Sequence, residues 1–554
     1  MNSINFPSGR SKRRLVISAL TGFLASNLLL AQPAMALDAS DFIKDLQAKL
    51  SERGNSLAFQ SMENDGSDGA ILKQVTLEDG DTGTVIKIEE LTLSGTEKLG
   101  ANGYQFGEMR ASDFTMTSIK NNNENVLKIG QIEVTDFSYP DLESRSHSFW
   151  PLNIGSGKFS DVRMDGKGKD QFSALFPSIN LENLKSTGGN AFTLDAFDSK
   201  EATGSFINSE NTEGTFVLGP ISLENAAYFG GAGYSLSKID LGAMIFDGTN
   251  EKNQKIRITY DGLDGSGLYS PDFGQDGDIA WSEDEMVFNS KGVLFNLDSK
   301  DVFSIKGANS VTHFDKGSED FESVARVDDI FVNMDAIPVE PGQEASRKQF
   351  KDLGYSSINL DVDMKVGWNI ESGILELEQY CFAAEDMLAL DISAVMGGFT
   401  RDFTRQISKI TNKMNAANDE IKQALAMQML AMYSGITVNK LTIKVDDDSL
   451  TKRIMDQQAA KSGQEAKDLV VAMPFMAGAV LSQFNVPEFA ASVSSAIGVF
   501  MNSALDNKGS LSVTANPAEP VSMAEIMGIG AGVQAGNVPP SDVIDRFGIT
   551  IDAN

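Results

Sequence analysis

One spacing recurs along this chain and limits what it can fold into: apolar-x-apolar-x-x-apolar-x-apolar. It occurs at Ile86, Ile88, Leu91 and Leu93, at Tyr104, Phe106, Met109 and Ala111, and at Leu127, Ile129, Ile132 and Val134. It returns at Ala174, Phe176, Ile179 and Leu181, at Phe216, Leu218, Ile221 and Leu223, and at Tyr234, Leu236, Ile239 and Leu241. Ala325, Val327, Ile330 and Val332 repeat it, as do Ile436, Val438, Leu441 and Ile443. Side chains on a flat strand alternate between faces with period two. Two residues between the apolar pairs slip that phase by one position, and an unbent strand would turn the second pair to water. A bulge or corner at the x-x step returns both pairs to one interior. The x-x residues include Gly130-Gln131, Gly219-Pro220 and Asp328-Asp329, types that suit a bend. The repeat therefore predicts a long, bent, bulged antiparallel sheet or groove; an ordinary antiparallel sandwich with bulges is the alternative. The units recur irregularly, which is unlike a strict solenoid.

This pattern fills residues 55–400, a β-rich, repeat-like domain punctuated by Gly, Asn, Asp and Ser turns. Before it, Phe42, Ile43, Leu46 and Leu50 share one face of an N-terminal helix within 37–54. After it, 401–505 reads as a helical section with one strand at 436–445. Phe403, Ile407, Ile410, Met414, Ala417, Ile421 and Ala424 space a helical seam there, and further helices are expected near 449–461, 465–484 and 487–502. Residues 506–554 form an αβ tail with short helices expected at 522–529 and 541–546, and its last strand, 548–552, is expected to close onto the main sheet. The fold class is mainly β with a helical C-terminal section (α+β).

Residues 1–36 read as a signal peptide. They carry Arg10, Lys12, Arg13 and Arg14, no acidic residue, an apolar run from Leu15 to Leu30, and Ala34-Met35-Ala36. That order is a cleaved secretory signal. Arg13-Arg14-Leu15-Val16-Ile17 also fits a twin-arginine signal loosely, which leaves the export route open. The apolar run is short and interrupted by Ser18, Thr21, Ser26 and Asn27, so no stable transmembrane anchor is expected after cleavage. The expected location is the periplasm. The whole chain has 46 basic and 77 acidic residues and a net charge of −31; loss of residues 1–36 leaves 42 basic residues and a charge of −35. Such a chain is not built to neutralise phosphates, and nucleic acid is excluded as a partner. Cys381, the one cysteine, lacks an intrachain partner and reads as a buried, inert thiol.

No catalytic, cofactor-binding or metal-ligating residue is assigned, and no cofactor is expected. Asp79-Gly80-Asp81, Asp261-Gly262-Leu263-Asp264-Gly265 and Asp276-Gly277-Asp278 have the residues of tight turns and lack the rest of an EF-hand loop. Asp446-Asp447-Asp448 precedes a helix, where carboxylates act as caps; a weak cation site is the alternative. Gly528, Gly530, Gly532 and Gly536 lack the strand–turn–helix setting of a dinucleotide site and read as a loop. His147 and His313 have no motif that supplies a nucleophile or an orienting acid. The uncharged segment 469–481 is too short to span a bilayer; it reads as part of a buried helical hairpin, or else as an apolar docking helix.

The bent-strand units, such as Ile129-Gly130-Gln131-Ile132-Glu133-Val134-Thr135-Asp136-Phe137, together with the export signal, resemble AsmA-like and YdgA-like envelope proteins of Gram-negative bacteria. Asp446 to Ala459 and the Ser510–Pro520 strand resemble uncharacterised exported proteins of alphaproteobacteria. AsmA-like proteins usually keep an N-terminal membrane anchor, and the cleavage site here departs from that. The resemblance implies a β-rich, groove-like protein of lipid transport or envelope upkeep, and carries over no catalytic residue. The expectation is a non-enzymatic protein whose partners are lipid or other envelope proteins. A scaffold with a self-filled core and a hydrolase with an unrecognised site are the alternatives.

Overall fold

A computed structural model describes residues 39–554, apart from 53–54, 67, 81–82, 100–102, 121–122, 140–151, 169, 189–190, 208–211, 230–232, 272–283, 316–319, 339–341, 343, 417–418 and 485. The expected signal peptide, His147, Asp81 and Asp276-Gly277-Asp278 lie outside the described residues. The protein is mainly β, with its helices concentrated in the C-terminal section. It divides into two compact units, Met1–Ser270 and Pro271–Asn554. That division falls inside the 55–400 stretch.

In the first unit, antiparallel strands follow one another in chain order. Ala70–Asp79, Thr84–Ser94, Gly103–Lys120, Asn123–Tyr139, Leu152–Lys167 and Gln171–Gly188 each pair with the next. The phase slip is visible in each of them. In Ala70–Asp79, the inward residues Ala70, Leu72, Val75 and Leu77 are all buried although Lys73 and Gln74 intervene. In Asn123–Tyr139 the slip occurs twice, so that Leu127, Ile129, Ile132, Val134 and Phe137 share one interior.

The backbone device is specific. The second of the two intervening residues adopts positive φ on alternate strands at each of two levels: Gln74 (55°), Asp113 (49°) and Asp161 (55°) at one, and Asp136 (50°), Asn183 (49°) and Asn225 (49°) at the other. Asp and Asn tolerate this left-handed region better than other residues with a Cβ. The ladder passes over the facing residue of the next strand at the same level. Ser112 faces Gln131 and Phe114 faces Ile129, leaving Asp113 level with Gly130. Where the backbones crowd, glycine is needed: a Cβ on Gly155 would lie 2.8 Å from the Cβ of Asp136. The bends thus line up across the strands, and the sheet turns as a whole.

Helix Ala39–Glu52 closes the start of this sheet. Its Ile43 is buried in the core with Leu72, Ile86, Tyr104, Phe114 and Ile129, while Leu57, Phe59 and Met62 pack against that core.

In the second unit, Phe321–Asn333, Ser357–Asn369, Ile374–Ala384, Leu388–Gly397, Thr437–Asp447, Ser510–Ala515 and Ile549–Ala553 pair in that order, all antiparallel. The last strand of the chain therefore joins this sheet. Here the bulges fall on alternate strands, between Val327 and Ile330, where Asp329 has φ 48°, and between Leu377 and Tyr380. The intervening Ser357–Asn369 presents Ile358, Leu360, Val362, Met364, Val366 and Trp368 in plain alternation. Helix Pro487–Ala504 packs on the strands Ser510–Ala515 and Ile549–Ala553, and helix Ala466–Ser482 packs on Pro487–Ala504. The seam expected over 401–434 is divided between Arg401–Ala416 and Asp419–Tyr433. Ile410 is buried, whereas Ile421 on the second helix faces solvent.

Candidate functional site

The apolar face inside the bent sheet of the first unit is the candidate site, because its burial changes along the sheet. Register carries this face from strand to strand. Met164 faces Ala174, Ala174 faces Gly204, and the row continues through Phe216, Phe246 and Ile258. On the other arm the row is Leu152, Ser186, Phe192, Tyr228 and Tyr234. From strand Ala70–Asp79 to strand Leu152–Lys167 the inward side chains pack against one another, and Val162 is 3% exposed. On Gln171–Gly188, Phe176, Ile179, Leu181 and Leu184 are half-buried. Beyond them Tyr234 reaches 50% and Met244 and Ile258 reach 39%. The face stays apolar after its filling ends. Phe206 and Phe246 stack at 5.4 Å and Phe192 lies 6.0 Å from Tyr228, so aromatic rings line this open trough. The charged side chains of these strands lie on the opposite face, as in the Lys238–Glu224 pair at 2.9 Å.

Several sequence candidates resolve into structural roles. Asp447 is buried, and its Oδ1 accepts a hydrogen bond from the Thr451 backbone N at 2.8 Å, at the start of helix Leu450–Ser462. Asp446 pairs with Lys444 at 2.7 Å. Beside them Arg453 stacks over Tyr355 at 4.5 Å, donates to the Leu353 carbonyl at 3.1 Å, and donates to Ser449 Oγ at 3.0 Å. Tyr355 in turn donates to the Asp386 carbonyl at 2.9 Å. This knot fixes helix Leu450–Ser462 against the sheet. A cleft of about 580 Å³ next to it has Asp329, Asp361, Glu385, Asp446 and Asp448 on its walls. Among the described residues, no group of three or more His, Cys, Asp or Glu is placed to hold a metal ion. Gly262, in the Asp261–Gly265 turn, has φ 108° and sits at a bend between two strands.

His313 lies on the outer face of strand Gly307–Phe314, with Nδ1 3.2 Å from Glu285 and with Glu322 opposite. The adjoining cleft, about 460 Å³, also holds Asp315, Asp320, Glu376, Glu378 and Trp368. No serine is among its described lining residues, so no nucleophile of that type joins the histidine. Cys381 is half-buried; burial pushes its thiol up, and the carboxylates of Asp391 and Asp363 add to the effect.

Two expectations are corrected. The helix expected over 522–529 runs from Met523 to Gln534, so Gly528, Gly530 and Gly532 lie within it and not in a loop, and only Gly536 follows it, at φ 72°. Ser522 caps this helix by accepting from the Glu525 N at 3.1 Å, and Arg546 grips Glu525 through two hydrogen bonds of 2.6 and 2.9 Å. Those contacts offset the low helix propensity of glycine. Segment 469–481 is not a buried hairpin: Val470 is buried, but Val471, Met476 and Val480 face solvent, and Phe475 is 76% exposed. Only one side of the helix packs on its partner. Helix Glu344–Asp352 was missed because it lies within a β-rich run; the signal was Pro341-Gly342 before it, with Glu344 in its first turn and Lys351 in its last.

Residues 381–554 match a family model described only as an uncharacterized protein. No curated protein matches the chain. Among the described residues, no helix is long and apolar enough to cross a membrane.

Proposed function

We propose that this chain is an exported, periplasmic, non-enzymatic protein that binds an apolar ligand such as lipid along the inner face of its bent sheet. The single observation that carries this reading is the run of half-exposed aromatic and aliphatic side chains from Phe172 to Ile258. A soluble protein rarely leaves a large contiguous apolar surface without a use for it. The signal-like residues 1–36 and the resemblance to AsmA-like and YdgA-like envelope proteins support the same reading. Mass spectrometry of the natively purified chain tests it: co-purifying lipid is the expected result, and a clean apo mass after exposure to lipid extract counts against it.

A second reading has its own observation. The strands before Gln171 are filled by their own side chains, as a scaffold would be. The two readings divide the first unit between them: a packed segment that holds shape, and an open one that holds a ligand.

A further inference from the structure

The change from packed to open segments has a consequence for ligand size. It rests on the apolar-ligand reading above. Within the first unit the open face spans five successive strand layers, from Gln171–Gly188 to the layer of Lys255–Tyr260 and Leu263–Pro271. At ~4.8 Å per strand spacing, the four intervals cover about 19 Å. One leaflet of a bilayer core is about 15 Å thick, half of ~30 Å, so the trough is long enough for one acyl chain of a membrane lipid. At its near end stand Phe159 and Val162, buried in the core that helix Ala39–Glu52 closes.

We infer that the trough of the first unit is blind, and that the packed side chains beneath Phe176 set the maximum length of acyl chain it holds. The occupant is an acyl chain, not a peptide. Among the described residues, the inward rows given above carry no charged side chain, and their strands are already paired with neighbours, so a peptide's amide groups would be left without partners. An acyl chain has no such groups. Lying across the strands, it gains contact with each layer until it meets Val162, and further carbons must leave the trough.

The test uses the full exported chain and straight-chain fatty acids of graded length, with affinity measured by calorimetry. Affinity should climb about fourfold for each methylene that enters the trough, then plateau. Ala226 faces Leu236 on the open part of the face, and Ala226→Phe should bring the plateau to shorter chains. Phe176→Ala should open about one strand layer, ~4.8 Å, and move it to longer ones. If Phe176→Ala fails to fold, Ala226→Phe alone decides, because it adds volume at a half-exposed position. A plateau at the same length in wild type and Ala226→Phe overturns the blind trough while leaving apolar binding intact. No binding in any form overturns both.

Discussion

Replacing Asp136 with valine should destabilise the first unit through the backbone alone. Asp136 has φ 50° and its side chain is exposed, so no packing is lost on substitution. The left-handed conformation costs an ordinary L-residue about 1–2 kcal/mol, Asp and Asn much less, and a β-branched residue is the poorest fit. Crowding adds to this, because the Asp136 Cβ already faces the backbone of Gly155. The expected loss for Asp136→Val is therefore about 1–2 kcal/mol, roughly a five- to thirtyfold shift in the folding equilibrium. Asp136→Asn should be neutral. The control is Lys87→Val, an exposed strand position without positive φ, where valine should be neutral or stabilising. Urea unfolding followed by far-ultraviolet circular dichroism reads all three. Equal midpoints for Asp136→Val and Lys87→Val would refute the idea that left-handed residues hold the bends.

Matched truncations should separate the packed segment from the open one: Ile129→Ala, at 1% exposure, should cost about 2–5 kcal/mol, and Ile258→Ala, at 39%, well under half of that. Their urea midpoints check this, and equal losses would contradict the open trough. Arg546, hydrogen-bonded to Glu525, holds that carboxyl below the ordinary carboxylate range. The pair's contribution is thus present above the ordinary Glu value and fades as pH falls through the depressed one. The stability gap between wild type and Glu525→Gln should close in acid; a gap constant with pH would refute the assignment. Cys381, raised by burial, should alkylate more slowly at neutral pH in the folded than in the urea-unfolded chain, with equal rates as the contrary result.

The phase slip was legible because period two is rigid: Leu127, Ile129, Ile132 and Val134 share an interior only if the chain bends between Ile129 and Ile132. The residue that makes the bend was also in view, as the Asp or Asn at the second intervening position, but its meaning depends on φ, which spacing does not carry. Open and packed segments were not distinguishable. Ile132 and Ile239 occupy the same place in the same pattern, yet one is buried and the other half-exposed, because burial depends on what lies across the interior. The helix expected over 522–529 is present, but its continuation through Gly530 and Gly532 to Gln534 is not legible, because Ser522 and Arg546, which hold it, act from outside the glycine run. The exposure of Phe475 is not legible either: an uncharged helix does not show in its sequence which sides are covered, and here only one is.

The most direct test of the account is to illuminate the protein with a photoreactive fatty acid bound and map the crosslinked residues by mass spectrometry. An acyl chain in the trough gives adducts on the open inner face, at Tyr234, Met244, Phe246 and Ile258, and none at Ile86, Ile129 or Ile132. Adducts concentrated on the helical surface around Phe475, or spread evenly over both faces of the sheet, would contradict it.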